Sequence, residues 1–263
     1  MIAVGERING MFKDVKRAIK KRDKAVLQDL AQRQTTEGAK YLDVNTGVSV
    51  PAEEQPEVMK WMVQSIREVC DTPLALDSQK IPVLKAGLEV VTGDVMINSC
   101  RCDDNVLDEF MPLAVEHNAS LVVLTMTEAG PLNDVDSRIE ACANICAKAM
   151  EHGLDLPNIF IDPVIYPVNV AQQQPGYIME VLRQLQDMAD PPPRSIVGLS
   201  NISQGTQERH LINRIMLVML IAAGLDAAII DVLDTDIMDA AITAELLLNQ
   251  QIYSDSFLKA GRM

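Results

Sequence analysis

Eight short runs rich in branched residues recur along the chain, at residues 2–4, 41–44, 74–76, 95–97, 120–124, 159–161, 195–198 and 227–230. Longer segments separate them, and those at 24–37, 56–69, 106–117, 137–152, 178–189, 211–223 and 237–247 carry the apolar spacing of amphipathic helices. A strand, a helix and a further strand in succession form the crossover unit of a parallel sheet. Gly38, Gly93, Gly153 and Gly224 each follow a helical pattern and precede a run, where a left-handed residue is expected to close the helix. Eight strand–helix units in 263 residues match an α/β chain closed into a (β/α)8 barrel, whereas a doubly wound sheet usually has fewer strands. Residues 1–263 are therefore expected to form one barrel domain. No Pro-, Gly- or Ser-rich stretch is long enough for a linker, and Pro191-Pro192-Pro193 reads as a tight helix-to-strand connection.

A barrel of this size has to bury a large core, and a composition 48% hydrophobic and 23% charged allows it. Asp and Glu number 37 against 23 Lys and Arg, for a net charge of −14, and that field repels phosphate backbones and anionic lipid. Nucleic acid and membrane are accordingly set aside as partners. No apolar stretch approaches the length of a membrane span, and the first seven residues, Met1 to Arg7, lack the charged-then-apolar order of a secretory signal. A cytoplasmic location is expected. The five cysteines contain no CxxC pair, so reduced thiols are expected in place of a disulfide framework. Cys142 and Cys146 stand four apart on a helical pattern without a nearby histidine or further cysteine, and they read as buried apolar residues.

The charge is unevenly spread. Residues 1–40 hold ten Lys or Arg and five acids, and the rest of the chain is correspondingly more acidic. The basic cluster from Lys13 to Arg22 reads in two ways: as an attractor for an anionic ligand tail or an acidic partner surface, or as one solvated helix face.

In such barrels chemistry gathers at the C-terminal ends of the strands. The first run leads into Glu6 and Asn9, the second into Asp43 and Asn45, the third into Asp77 and the fourth into Asn98. The fifth leads into Thr125 and Met126, the sixth into Asp162, the seventh into Ser200 and Asn201, and the eighth into Asp231. Any one of these could cap the helix that follows. A ring of them at one mouth, however, is costly to bury without a polar ligand. Carboxylates and carboxamides without cationic partners suit a flat heterocycle that presents an amino group beside a ring N–H, because a carboxylate accepts both bonds in parallel. A pterin has that edge. GxGxxG and GxxxxGK[ST] are absent, as are GxSxG and HExxH, and His117, His152 and His210 have no metal-ligand spacing.

Five segments carry a more specific likeness: Gly5-Glu6-Arg7-Ile8-Asn9-Gly10, Leu76-Asp77-Ser78, Met96-Ile97-Asn98-Ser99, Ile161-Asp162-Pro163 and Gly198-Leu199-Ser200-Asn201-Ile202-Ser203-Gln204. Together they resemble the dihydropteroate-synthase-like, pterin-binding methyltransferases that move a methyl group between methyltetrahydrofolate and a corrinoid protein. The likeness runs over essentially the whole chain, through Arg209, Leu211-Ile212-Asn213-Arg214 and the stretch from Ala244 to Gln250. It implies that Asp77, Asn98 and Asp162 hold the pterin ring and that Asn201 reaches N5, the atom carrying the methyl group. Glu6 and Asp43 would orient groups in the same mouth, and Ser200, Gln204 and Arg209 would border the pocket. Tetrahydrofolate is then the substrate, and a transient partner protein carries the corrinoid, since the Asp-x-His-x-x-Gly cobalamin signature is absent from all three histidine contexts. An anaerobic setting and a homodimer are further implications of the resemblance.

Two other readings remain. A dihydropteroate synthase binds a pterin on a similar barrel, but Ile229-Ile230-Asp231-Val232-Leu233-Asp234 lacks the Arg-x-His expected at the end of its last strand. A non-catalytic folate-binding protein would account for the absence of an obvious proton donor. Cys100 and Cys102 have no role in any of these readings.

Overall fold

The computed structural model describes residues 1–262. Its strands are β1 (Ile2–Asn9), β2 (Tyr41–Asn45), β3 (Leu74–Asp77), β4 (Val95–Arg101), β5 (Ser120–Leu124), a small hairpin of β6 (Met126–Thr127) and β7 (Gly130–Pro131), then β8 (Ile159–Asp162), β9 (Arg194–Gly198) and β10 (Ala227–Ile230). Eight of them close into a barrel in the order β1-β10-β9-β8-β5-β4-β3-β2, every neighbouring pair parallel. The eight expected runs are these eight strands. The hairpin, absent from the sequence reading, sits in the loop after β5.

The helices around the barrel are α1 (Lys13–Lys21), α2 (Lys24–Thr36), α3 (Gln55–Arg67), α4 (Ile81–Leu88), α5 (Asp104–Glu116), α6 (Val135–His152), α7 (Gln174–Gln186), α8 (Arg209–Ala222), α9 (Thr235–Leu247) and the short α10 (Phe257–Arg262). Their starts follow local chemistry. Asp23, Asp134 and Asp234 accept backbone N–H bonds at the beginnings of α2, α6 and α9, and Pro56, Pro82 and Pro175 sit in the first turns of α3, α4 and α7. Cys142, Ile145, Cys146 and Ala149 form the inward stripe of α6, so both helical cysteines are core residues, and all five cysteines are free. The basic segment is helical too, with Val15, Ala18 and Ile19 of α1 buried.

Helix α4 escaped the periodicity reading because it has only eight residues, two of them Pro82 and Gly87, and too little polar surface to mark a face. All four singled-out glycines have positive φ, from 75° to 99°. Gly153 closes α6 with its N–H on the carbonyls of Ala149 and Met150. Gly93 does not cap a helix, because α4 stops at Leu88, and it serves instead in the turn before β4. No helix of the described residues is long and apolar enough to cross a membrane.

Two apolar layers hold the barrel. Outside, helix faces pack on the strands in one large cluster. Inside, Val4, Ala75, Met96, Val122, Phe160, Ile196 and Ala227 form a separate plug, with Ile2, Tyr41 and Ile229 packed against it. Neighbours in register include Val4 with Tyr41, Ala75 with Met96 and Val122 with Phe160. Phe160 is the largest fully buried aromatic in that plug, so Phe160→Ala should cost about 3–5 kcal/mol of stability in urea unfolding. A loss below about 1 kcal/mol would mean that the barrel interior is not a packed layer.

Candidate active site

Side chains alternate across a strand, so the residue two positions beyond a plug residue also points into the barrel, one layer nearer the mouth. Val4 is followed at that spacing by Glu6, Tyr41 by Asp43, Ala75 by Asp77, Met96 by Asn98 and Phe160 by Asp162. Since all eight strands are parallel, these five residues open on one mouth. Asn45 lies one further step along β2. Asp43, Asn98 and Asp162 are 2%, 6% and 8% exposed, while Glu6 and Asp77 are half-buried.

The amide groups knit this layer together. Asn98 Nδ2 donates to Asp43 Oδ1 at 2.9 Å, across the strand between them, and Asn45 Nδ2 donates to Asp77 Oδ2 at 2.6 Å. Asn45 Oδ1 in turn accepts the Gly47 N–H at 2.6 Å. Asp162 Oδ1 accepts the Val164 N–H at 2.7 Å in a turn that holds Val164 at φ 61°, a conformation costly for a β-branched residue. Thr125 fixes the end of β8, its N–H and hydroxyl both donating to the Asp162 carbonyl.

Burial sets the electrostatics. It raises the Asp77 and Asp162 carboxyls to about 6, against the bond from Asn45 in one case and backbone N–H bonds in the other. Asp43 is pushed well above its ordinary value by burial and then by the Asp77 charge, although Asn98 lowers it. Glu6 is raised by burial and lowered by its bond with Ser200. The mouth thus concentrates acceptors that are under-solvated and under-compensated, the condition that a ligand rich in N–H donors relieves.

The loop after β9 supplies the other wall. A 3-10 turn, Leu199–Asn201, follows the strand directly. Ser200 Oγ donates to both carboxylate oxygens of Glu6, at 2.8 and 3.0 Å. Arg209, at the start of α8, reaches back with Nε to Ser203 Oγ at 3.2 Å and Nη2 to the Ser200 carbonyl at 3.3 Å, so it braces the loop. Asn201 and Gln204 are exposed, and the Asn201 amide lies over Gly198, where an added Cβ would come 3.1 Å from Nδ2. Glu6, Asp43, Asp77, Asn98 and Ser200 are thus joined by bonds or charge, while Asp162 stands on the β8 side.

Some strand-end residues do only cap: Asn9 Oδ1 takes the Met11 N–H and Asp231 Oδ1 the Leu233 N–H. Asn45 was visible in the sequence as a strand-end residue but had no assigned task until its bond to Asp77 appeared. Arg138 was missed. It lies on α6, is 0% exposed, donates Nη2 to Gln174 Oε1 at 2.7 Å, and its charge lowers Asp162 against the effect of burial. An arginine on a helical pattern gives no signal of this kind, because its burial depends on α7 and β8 packing beside it.

A closed parallel barrel with a mouth of buried carboxylates and carboxamides defines a protein that binds a flat, donor-rich ring. Residues 9–231 match the family model described as pterin binding enzyme, and the chain belongs to that family. It is 30% identical over 264 residues to the methylcorrinoid:tetrahydrofolate methyltransferase of Eubacterium limosum, covering all of this chain and 96% of that protein. It is 31% identical over 243 residues to the methionine synthase of Mycobacterium leprae, covering 88% of this chain and 20% of that longer protein. Among solved structures, a Yersinia pestis dihydropteroate synthase superposes with a TM-score of 0.72 at 13% identity, covering 95% of this chain and 94% of the other. One from Xanthomonas albilineans gives 0.66 at 18%, covering 96% and 94%. These structural likenesses establish the shared fold.

The raised carboxyls carry a stability signature. Asp77 has an ordinary value of 3.8 and a folded value of about 6, so the folded protein keeps that proton to higher pH than the unfolded chain does. Stability therefore falls as pH rises through this window, and above it the ionised group costs on the order of 3 kcal/mol. Asp77→Asn should raise the melting temperature at pH 7.5 and leave it nearly unchanged at pH 4. An equal shift at both pH values would place the effect in packing and not in charge.

Proposed function

We propose that this protein is a methyltransferase that moves a methyl group between N5 of methyltetrahydrofolate and the cobalt of a corrinoid protein. The observation that carries this reading is the mouth of Asp43, Asp77, Asn98 and Asp162 in a chain alignable from end to end with a methylcorrinoid:tetrahydrofolate methyltransferase. In it, Asp77 and Asp162 accept the amino and ring N–H groups of the pterin, and Asn98, held by Asp43, offers its carboxamide to the ring edge. Glu6 works through Ser200: its carboxylate anchors the hydroxyl at the root of the loop that carries Asn201.

The corrinoid supplies a cobalt centre that gives or takes the methyl group. The corrinoid would be carried by a separate protein that docks over the open mouth, as the likeness to a methylcorrinoid:tetrahydrofolate methyltransferase suggests. The chain's own task is at N5, a poor leaving group unless a hydrogen bond strengthens as charge develops there. Asn201 cannot ionise, so its part is to hold that bond. Ser200 and Arg209 fix the loop, and Gln204 borders the folate's exit.

We further read residues 1–263 as one barrel domain. The exposed apolar residues Leu211, Ile215 and Met219 at successive turns of α8 favour a homodimer through that face. Five free cysteines favour a reducing, cytoplasmic setting, and the family resemblance suggests an anaerobic one.

Two tests separate binding from chemistry. Asp77→Ala and Asp162→Ala should each weaken tetrahydrofolate binding by about 1–3 kcal/mol in calorimetric titration, because each strands ligand donors. Unchanged affinity in both would reject the pterin pocket. Asn201→Ala should lower the rate of methyl transfer to a reduced corrinoid protein by roughly 100-fold while affecting affinity much less. Equal losses would make Asn201 a ligand-holding residue only.

A further inference from the structure

The basic cluster on α1 faces a cavity. Lys16 and Lys20, one turn apart, line a hollow of about 480 Å³ together with Ile19 and Arg22 on one side and Ser49, Val50, Pro51, Glu54 and Val58 on the other. Arg22 stacks over the Trp61 ring at 5.1 Å, which holds its guanidinium in place. Of the described residues lining the hollow, Glu54 alone is acidic.

Nearby acids are engaged elsewhere. Asp14 pairs with Arg7 at 3.0 Å, Asp23 caps α2, and Glu68 binds Lys24 at 2.6 Å. Among the described residues, Lys13, Lys16, Arg17, Lys20 and Lys21 have no carboxylate partner within ion-pair distance. In a chain of net charge −14, five unpaired cations on one nine-residue helix is an uncompensated field, and the hollow gathers the row formed by Lys16 and Lys20.

The hollow is tied to the mouth by the loop after β2. That loop begins at Asn45, which holds Asp77, and four residues later Ser49 is in the cavity wall, a reach of at most about 14 Å. Its position is fixed against α1's own lead-in. A Cβ added at Gly10 would lie 2.3 Å from the Thr46 carbonyl oxygen, and one at Gly47 would lie 2.6 Å from the Gly10 carbonyl carbon. Only glycine permits that approach, so the root of the loop is held against the lead-in to α1.

We infer that this cavity binds the carboxylate tail of the folate substrate, and that it favours tails extended by γ-linked glutamates. This rests on the folate reading of the mouth. A compact hollow with three cations on one wall, and a hydroxyl, apolar groups and the single carboxylate of Glu54 on the other, suits a flexible chain bearing spaced carboxylates better than it suits a broad protein surface.

The test is a titration with tetrahydrofolate carrying one or four glutamates, on the wild type and on two double variants of equal charge change. The wild type should bind the four-glutamate form about tenfold tighter, since each exposed pair adds little and several act together. Lys16→Gln with Lys20→Gln should remove most of that preference and leave the one-glutamate affinity unchanged. Lys13→Gln with Arg17→Gln, on the other row of α1, should retain the preference.

No preference in the wild type, or equal loss in both double variants, would overturn the tail site. So would a slower transfer to corrinoid protein by the Lys16 and Lys20 variant with both folates alike, which would assign the helix to partner docking. Failure of either folate to bind at all would overturn the folate reading itself, and this inference with it.

Discussion

The structure depends on placing carboxylates where water cannot fully reach them without unfolding the barrel. Its solution is geometric. A closed parallel barrel points every second side chain inward, so an apolar plug beneath and a polar layer above can sit on the same strands two residues apart. Ala75 and Asp77, or Phe160 and Asp162, are neighbours on one strand face, yet one seals the interior and the other faces the mouth. The same plug that provides stability keeps the carboxyls desolvated and raises their affinity for protons, and for any ligand that offers N–H groups instead.

Carboxamides make that arrangement tolerable. Asn98 and Asn45 each give an N–H to a buried acid and still have an amide oxygen, on Asn45 already given to Gly47. A cation in their position would neutralise the acids and compete with a ligand's donors. Among the described residues, the one fully buried cation linked to the site, Arg138, stands behind Asp162 on the helix side, where it tempers the cost of that charge. A different element, the loop after β9, carries the exposed Asn201 and Gln204 and is braced from below by Ser200 on Glu6 and by Arg209. In the proposed reaction the rigid strands would hold the ring and the braced loop would act on it, which would separate binding from transfer.

Charge separates along the chain for a related reason. An acidic protein whose site already crowds carboxylates gains nothing by drawing an anionic substrate through its overall field. The unpaired lysines of α1 and the Arg22–Trp61 stack put a local field of the opposite sign beside the mouth.

The sequence by itself determined the barrel, because eight strand runs with helical spacing between them leave few ways to bury both faces of a parallel sheet. It also placed Glu6, Asp43, Asp77, Asn98 and Asp162 among the polar residues that follow the strand runs, because strand ends can be read from local pattern; that these five face the interior above the plug came from the barrel. It could not mark α4, which is too short for a face, or separate Asn9 and Asp231, which cap turns, from Asn45, which holds Asp77. Those assignments rest on contacts between residues far apart in the chain, such as Ser200 with Glu6 and Arg138 with Gln174. Local pattern fixes which face a side chain takes. Closure of the barrel alone decides which side chains from distant strands come within hydrogen-bonding distance, and so which amide holds which carboxyl, which loop is braced and where the cavity beside α1 lies.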